Sequence, residues 1–271
     1  MKNMIRPSVF LAVFLAISAV YVLSLTTQTL TINTLYLIFP IVTTLIGLYS
    51  SSIYGFKSSN GRALILINGG LVCMLIAESI WYVSDNFTSS GGIIPSWADV
   101  FFLLSYPFFG AGVYQGFIAA EIKFKNVKKS LLYLALLASL ILTILVVYFD
   151  IYKAYDSTVE LLVNITNMGY GVVDLVLVVS SLFTILVASE YKGGKLASFW
   201  GAMALGFLFN LIADILSAMY EGPYLEGLKP YGYIDLFWIA AYLFLAYGML
   251  ENYLHITAVQ RNVRLKIQQR R

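Results

Sequence analysis

Eight runs of almost uncharged residues divide this chain, at about 8 to 25, 33 to 54, 64 to 84, 97 to 119, 130 to 149, 161 to 188, 198 to 219 and 233 to 255. An α-helix needs about 20 apolar residues to cross the hydrocarbon core of a bilayer. No water is present there to satisfy backbone N–H and C=O groups, so a spanning segment is a helix or a strand of a closed barrel. Barrel strands alternate polar and apolar residues, and these runs do not. The expectation is an all-α integral membrane protein with eight transmembrane helices. Composition agrees, since 60% of the 271 residues are hydrophobic and 11% are charged, a balance that soluble domains do not carry.

The basic residues predict an orientation. Placing the N-terminus in the cytoplasm puts Lys2, Arg6, Lys57, Arg62, Lys123, Lys125, Lys128, Lys129, Lys192, Lys195, Arg261, Arg264, Lys266, Arg270 and Arg271 inside, which is 15 of the 17. Only Lys153 and Lys229 fall outside. Cytoplasmic loops carry the excess of Lys and Arg, so both termini are expected in the cytoplasm of a multi-pass cell-membrane protein. The net charge of +3 reflects these loops and the basic tail, not nucleic-acid binding. The single cysteine, Cys73, lies within an apolar run and reads as a small buried residue.

The chain also repeats itself. Asp99, Tyr106 and Gly112 recur as Asp235, Tyr242 and Gly248, each 136 residues later. At the same offset, Gly70 and the run Leu75-Ile76-Ala77-Glu78 match Gly206 and Leu211-Ile212-Ala213-Asp214. Four crossings per copy bring both copies in and out on the same side, so the repeat is parallel, 4+4, about an axis along the membrane normal. The expected units are residues 1–125, residues 126–256 and a basic cytoplasmic tail over 257–271, a helical continuation of the last span.

Acids inside spans are costly and usually face a cavity, a partner or a ligand. Glu78 and Asp214 fall about two turns below the outer ends of their helices, and Asp99 and Asp235 fall in the first turn of the helices that follow. Ser96 and Asp99 fit a capping box, a spacing that Gly232 and Asp235 repeat, so capping and ligand contact are both open for this pair. For Glu78 and Asp214 the choice is ligand or proton chemistry against buried hydrogen bonds to Tyr106, Tyr242 or an asparagine. Asp174 has no acidic counterpart, since the matching residue is Ile38, and no Lys or Arg within the spans pairs with it. A protonated carboxyl bonded to Asn or Tyr, or facing a polar cavity, is expected there. Trp81, Trp238, Tyr224 and their like read mostly as an interfacial belt, although an aromatic pocket with carboxylates suits a cationic or amphipathic ligand.

Several chemistries drop out. His255 is the only histidine, which leaves no His-rich zinc site or two-His haem ligation, and no phosphate loop or serine elbow is present. No metal and no cofactor are expected.

The run Pro95-Ser96-x-Ala98-Asp99-Val-Phe-x-Leu-x-x-Tyr106-Pro107, with Glu78 upstream, resembles the multi-span membrane sensor region found ahead of diguanylate cyclase, PAS and histidine-kinase domains. Ala213-Asp214, Asp235, Trp238 and Tyr242 carry the likeness into the second half. The resemblance implies a sensor without its own output enzyme, signalling through a cytoplasmic partner. A weaker likeness is to the lysoplasmalogenase family, also eight-span proteins. It implies an intramembrane lipid hydrolase in which Glu78 and Asp214 act as acid and base on water.

The expectation is therefore a receptor-like membrane module that binds a small or lipidic ligand in an outer-leaflet pocket. Its lining would be Glu78, Trp81, Asp99, Tyr106, Asp174, Asp214, Asp235, Trp238 and Tyr242. The hydrolase and a small-molecule transporter are the alternatives.

Overall fold

The computed structural model describes residues 7–24, 29–55, 57–88, 95–122, 127–191, 194–225 and 231–269. Lys2, Arg6, Lys123, Lys125, Lys192, Lys229, Arg270 and Arg271, on which the predicted orientation partly rests, lie outside the described residues. The described chain is helical, with no strand among those residues. The helices are α1 (Pro7–Ser24), α2 (Thr29–Ser51), α3 (Ser59–Phe87), α4 (Trp97–Ala119), α5 (Lys129–Val146), α6 (Leu161–Glu190), α7 (Lys195–Met219), a short α8 (Glu221–Leu225) and α9 (Asp235–Gln268). A π-helical turn, Val147–Tyr152, closes α5, and a 3-10 turn, Tyr231–Ile234, opens α9.

Among the described residues, seven helices are long and apolar enough to cross a membrane. They include every long helix from α2 to α9, and α1, with 18 residues of apolar sequence, is of matching length. This is a multi-pass helical membrane architecture. Side chains that a soluble protein would bury lie open along α5, among them Leu134, Leu137, Leu140, Ile141 and Ile144, as a lipid-facing surface requires. Only 11% of the most apolar window of that helix is buried, which accounts for its plain Leu and Ile sequence.

Connections from α2 to α7 are no longer than about nine residues, too short for a helix to run back parallel to its predecessor. Successive helices therefore alternate direction. Lys57, Arg62, Lys128, Lys129 and Lys195 gather at one end of the bundle, where α9 leaves as a helix carrying Arg261, Arg264 and Lys266. Asp99 and Asp235 sit at the other end, where exposed Trp81, Trp97, Tyr152, Tyr155 and Tyr233 form an aromatic fringe.

The core is built by α3, α4, α6, α7 and α9, with α2 against α3 and α9. Its largest closed side chains include Ile67, Leu71, Leu177, Met203, Phe207, Leu211, Ile239 and Met249. Phe109 of α4 and Phe207 of α7 meet with ring centroids 5.3 Å apart. Close approach within two helix pairs depends on glycine. A methyl group added at Gly112 of α4 would lie 2.6 Å from Ile67 Cγ1 and 2.9 Å from the Ala63 carbonyl oxygen of α3. One added at Gly248 of α9 would lie 2.6 Å from Met203 Cε and 3.1 Å from the Phe199 carbonyl oxygen of α7. These are the same contacts shifted by 136 residues, and small residues at such crossings are what let two backbones meet in lipid. α4 also packs on α6, and α9 on α2.

Candidate functional site: two acid and tyrosine clusters

The helix packing turns the matched acids inward and gives each a phenol from across the bundle. Tyr242 of α9 donates to Glu78 Oε1 of α3 at 3.0 Å, and Tyr106 of α4 donates to Asp214 Oδ2 of α7 at 3.0 Å. The two bonds are exchange-related: position 78 corresponds to 214, and position 106 to 242, at the offset of the repeat. Tyr106 and Tyr242 are buried, while Glu78 and Asp214 keep part of their surface open. The tyrosines thus belong to the interior, where a phenol hydroxyl requires a partner.

Around Glu78 the cluster extends towards Asp235. Tyr36 of α2 packs edge-on to Tyr242, with centroids 6.4 Å apart, and reaches the Glu78 carboxyl. Asp235 Oδ2 accepts from Tyr21 of α1, and its Oδ1 accepts from Tyr224 of α8 at 2.6 Å. Burial pushes the Tyr224 phenol well above its ordinary range, so it stays neutral and donates. Of the two roles left open for Asp235, capping is not realised. A 3-10 turn leads into α9, and its N-cap is Ile234, with no side-chain cap bond. Glycine at 232 offers no hydroxyl to complete a box, which leaves both oxygens of Asp235 for tyrosines.

Asp99 behaves differently. Ser96 caps α4 by accepting from the Ala98 N–H at 3.2 Å, and the Ser96 N–H donates to Asp99 Oδ2 at 2.5 Å, which completes the capping box. Its other oxygen accepts from Tyr170 of α6 at 2.6 Å. Asp99 is closed off, at 2% exposure.

Around Asp214 the cluster runs into α6 and the π turn. Asn210, one helical turn earlier, donates to Asp214 Oδ2 at 2.7 Å, and Trp238 Nε1 of α9 donates to Oδ1 at 2.8 Å. The carboxyl of Asp174 lies within hydrogen-bonding reach of Asp214. Asp174 was expected to bond Asn or Tyr or to face a polar cavity, and the group within its reach is a second carboxyl. Asp174 is 1% exposed, and its Oδ1 has no partner. Asp150, in the π turn, is 4% exposed with neither oxygen bonded.

Of the four matched acids, Glu78 lies within electrostatic reach of Asp235, Tyr242 lies within reach of both Glu78 and Asp214, and Tyr170, which bonds Asp99, lies within reach of Asp214. Trp81 stands apart, packing edge-on against Phe102 at 5.2 Å with 40% of its surface exposed. Sequence reasoning did not place Tyr21, Tyr36, Tyr170 or Asp150 in the site. Tyr170 and Asp174, like Asn210 and Asp214, are four apart on one helix, the spacing that puts two side chains on one face. Tyr21 had no such signal, being 214 residues from Asp235.

Chemically, these are carboxyls held by neutral donors, suited to bind a cation or a proton. Among the described residues, no group of three or more His, Cys, Asp or Glu is arranged to hold a metal ion. Next to Tyr21, an apolar groove of about 230 Å³ runs between α1 and α2, lined by Ala16, Ile17, Val20, Leu35, Ile38 and Phe39. Comparison of the chain with protein families, with curated proteins and with solved structures finds no match.

Proposed function

We propose that the chain is a receptor-like module of the cell membrane. In this reading it is built as two parallel four-helix repeats with both termini in the cytoplasm, and it binds a cationic amphipathic ligand at its outer end. The observation that carries the proposal is the exchanged pair of bonds, Tyr242 to Glu78 and Tyr106 to Asp214. A cation that draws on one of these carboxylates competes with the tyrosine holding it, and so acts on a contact between the halves. Asp235 supplies a partly open carboxylate beside the α1 and α2 groove, because Tyr21 both lines that groove and bonds to Asp235. A ligand with an alkyl chain in the groove and an ammonium at Asp235 and Glu78 fits this arrangement.

α9 supplies the route for a signal. It carries Asp235, Trp238 and Tyr242 at one end and continues as one helix of 34 residues to the basic segment around Arg261, Arg264 and Lys266. A shift of its outer end moves that segment relative to an anionic leaflet or a cytoplasmic partner.

The test is photocrosslinking in lipid nanodiscs with a diazirine-tagged alkylamine, using the alkyl alcohol of equal chain length as control. The amine is expected to label α1 and α2 around the groove, and Asp235→Asn is expected to abolish the excess over the alcohol. Equal labelling by both probes, or labelling indifferent to Asp235→Asn, would remove the proposal. Hydrolysis of an ether or ester lipid by the purified protein, lost in Glu78→Gln, would favour the hydrolase instead.

A further inference from the structure

Asp150 is the acid the fold treats most strangely. It sits in the π-helical turn, marked by the Lys153 N–H bonding back five residues to the Tyr148 carbonyl at 3.0 Å. That turn presses on α6 at Gly171, where an added methyl would stand 2.6 Å from the Asp150 carbonyl oxygen. Such turns cost regular hydrogen bonding and recur at functional sites. Here the turn coincides with a carboxyl that is 4% exposed and has both oxygens without a partner. Asp150 and Asp174 are within electrostatic reach of each other, and each also feels Asp214.

Among the described residues, no basic side chain pairs with these three acids. The titratable groups within their reach are Tyr170 on α6, Tyr106 on α4 and Tyr242 on α9, all phenols. Lys153 follows the turn, but its Nζ lies over the rings of Tyr148 and Phe149, at 5.5 and 5.9 Å from their centroids. An ionised carboxyl only accepts, so the contact between Asp174 and Asp214 requires a proton on one of them. An ionised Asp150 would be a charge buried with neither a partner nor a hydrogen bond. At 4% and 1% exposure, Asp150 and Asp174 offer no surface to an organic cation.

We propose that Asp150, Asp174 and Asp214 form a buried proton-binding site, with Asp214 as the port through which its proton exchanges. Asp214 is the member that keeps part of its surface open. On release, the O–H bond of the protonated Asp174 breaks as its proton passes to the Asp214 carboxylate. Water at Asp214 then accepts that proton, and the cluster gains one negative charge, with Asp174 and Asp214 both left as carboxylates. The site is independent of the alkylamine reading, since its ligand is the proton alone.

Infrared spectroscopy of the full chain in nanodiscs, with carbon-13 aspartate to separate Asp from Glu, tests this at neutral pH. A protonated-aspartate carbonyl stretch is expected. Asp150→Asn and Asp174→Asn should each lose the intensity of one carboxyl, and the shift of the band on transfer to heavy water should slow in Asp214→Asn. Absence of the stretch in the unsubstituted protein would overturn the proposal, as would full retention of it in both variants. Circular dichroism and gel filtration identify any variant that fails to fold. In that event the unsubstituted spectrum and the remaining variant decide the outcome.

Discussion

Tyr242 holds Glu78 at 3.0 Å, and with the roles of the two halves exchanged Tyr106 holds Asp214 at the same distance. Each bond links a helix of the first half to one of the second. The acids are therefore structural and accessible at once, fixed by a phenol on one side and partly open on the other.

Removing either hydroxyl should weaken the bundle, though not equally. Tyr242→Phe and Tyr106→Phe each leave a carboxyl short of a donor, which costs about 0.5–2 kcal/mol for a hydrogen bond between membrane helices. Tyr106→Phe is expected to be the milder, because Asn210 and Trp238 still hold Asp214. Equilibrium unfolding in mixed micelles reads both. A null effect of Tyr242→Phe would show that this bond contributes nothing.

The glycine contacts make a sharper comparison. Gly112→Val and Gly248→Val force a side chain against a facing backbone carbonyl and should each destabilise by about 1–3 kcal/mol. Gly201 lies in the same helix as Met203, yet an added methyl there meets nothing within 4 Å. Gly201→Ala is expected to be neutral or to stabilise by up to about 1 kcal/mol, through the entropy of the unfolded chain. Thermal denaturation followed by tryptophan fluorescence separates the two classes, and equal melting of all three variants would contradict the packing described.

The loop between α5 and α6 should loosen in acid. Asp156 Oδ1 accepts from the Thr158 hydroxyl at 2.7 Å and its N–H at 2.8 Å, which holds the carboxyl below the usual range. A depressed folded value contributes stability above the unfolded pKa of about 3.9 and loses it as pH falls through the folded value. Protection of the Thr158 amide against hydrogen exchange, corrected for the intrinsic rate, should therefore drop on acidification below about pH 4. In Asp156→Asn, which cannot titrate, that dependence should disappear.

Much of the fold could be read from residues close together in sequence. Helix boundaries track the apolar runs because, in lipid, each helix satisfies its own backbone and hydropathy sets its length. The Ser96 and Asp99 cap was legible because its bonds span three residues. No cap forms at Asp235, because the glycine at 232 keeps the spacing but has no hydroxyl to complete the box. Asp150 was passed over because an acid at the end of an apolar run looks like an ordinary boundary with water.

The sequence alone determined that the chain is helical and apolar enough to span a membrane, and that Glu78 matches Asp214 and Tyr106 matches Tyr242. Hydropathy and spacing suffice for that, since they place a residue along a helix. Only the tertiary structure decided that Tyr242 serves Glu78 across 164 residues, that Asp174 meets Asp214, and that Asp150 is turned inward without a partner. Those outcomes depend on how each helix is rotated about its own axis and which neighbour it meets. That is settled by close packing at positions such as Gly112 and Gly248, through contacts between residues distant in the chain.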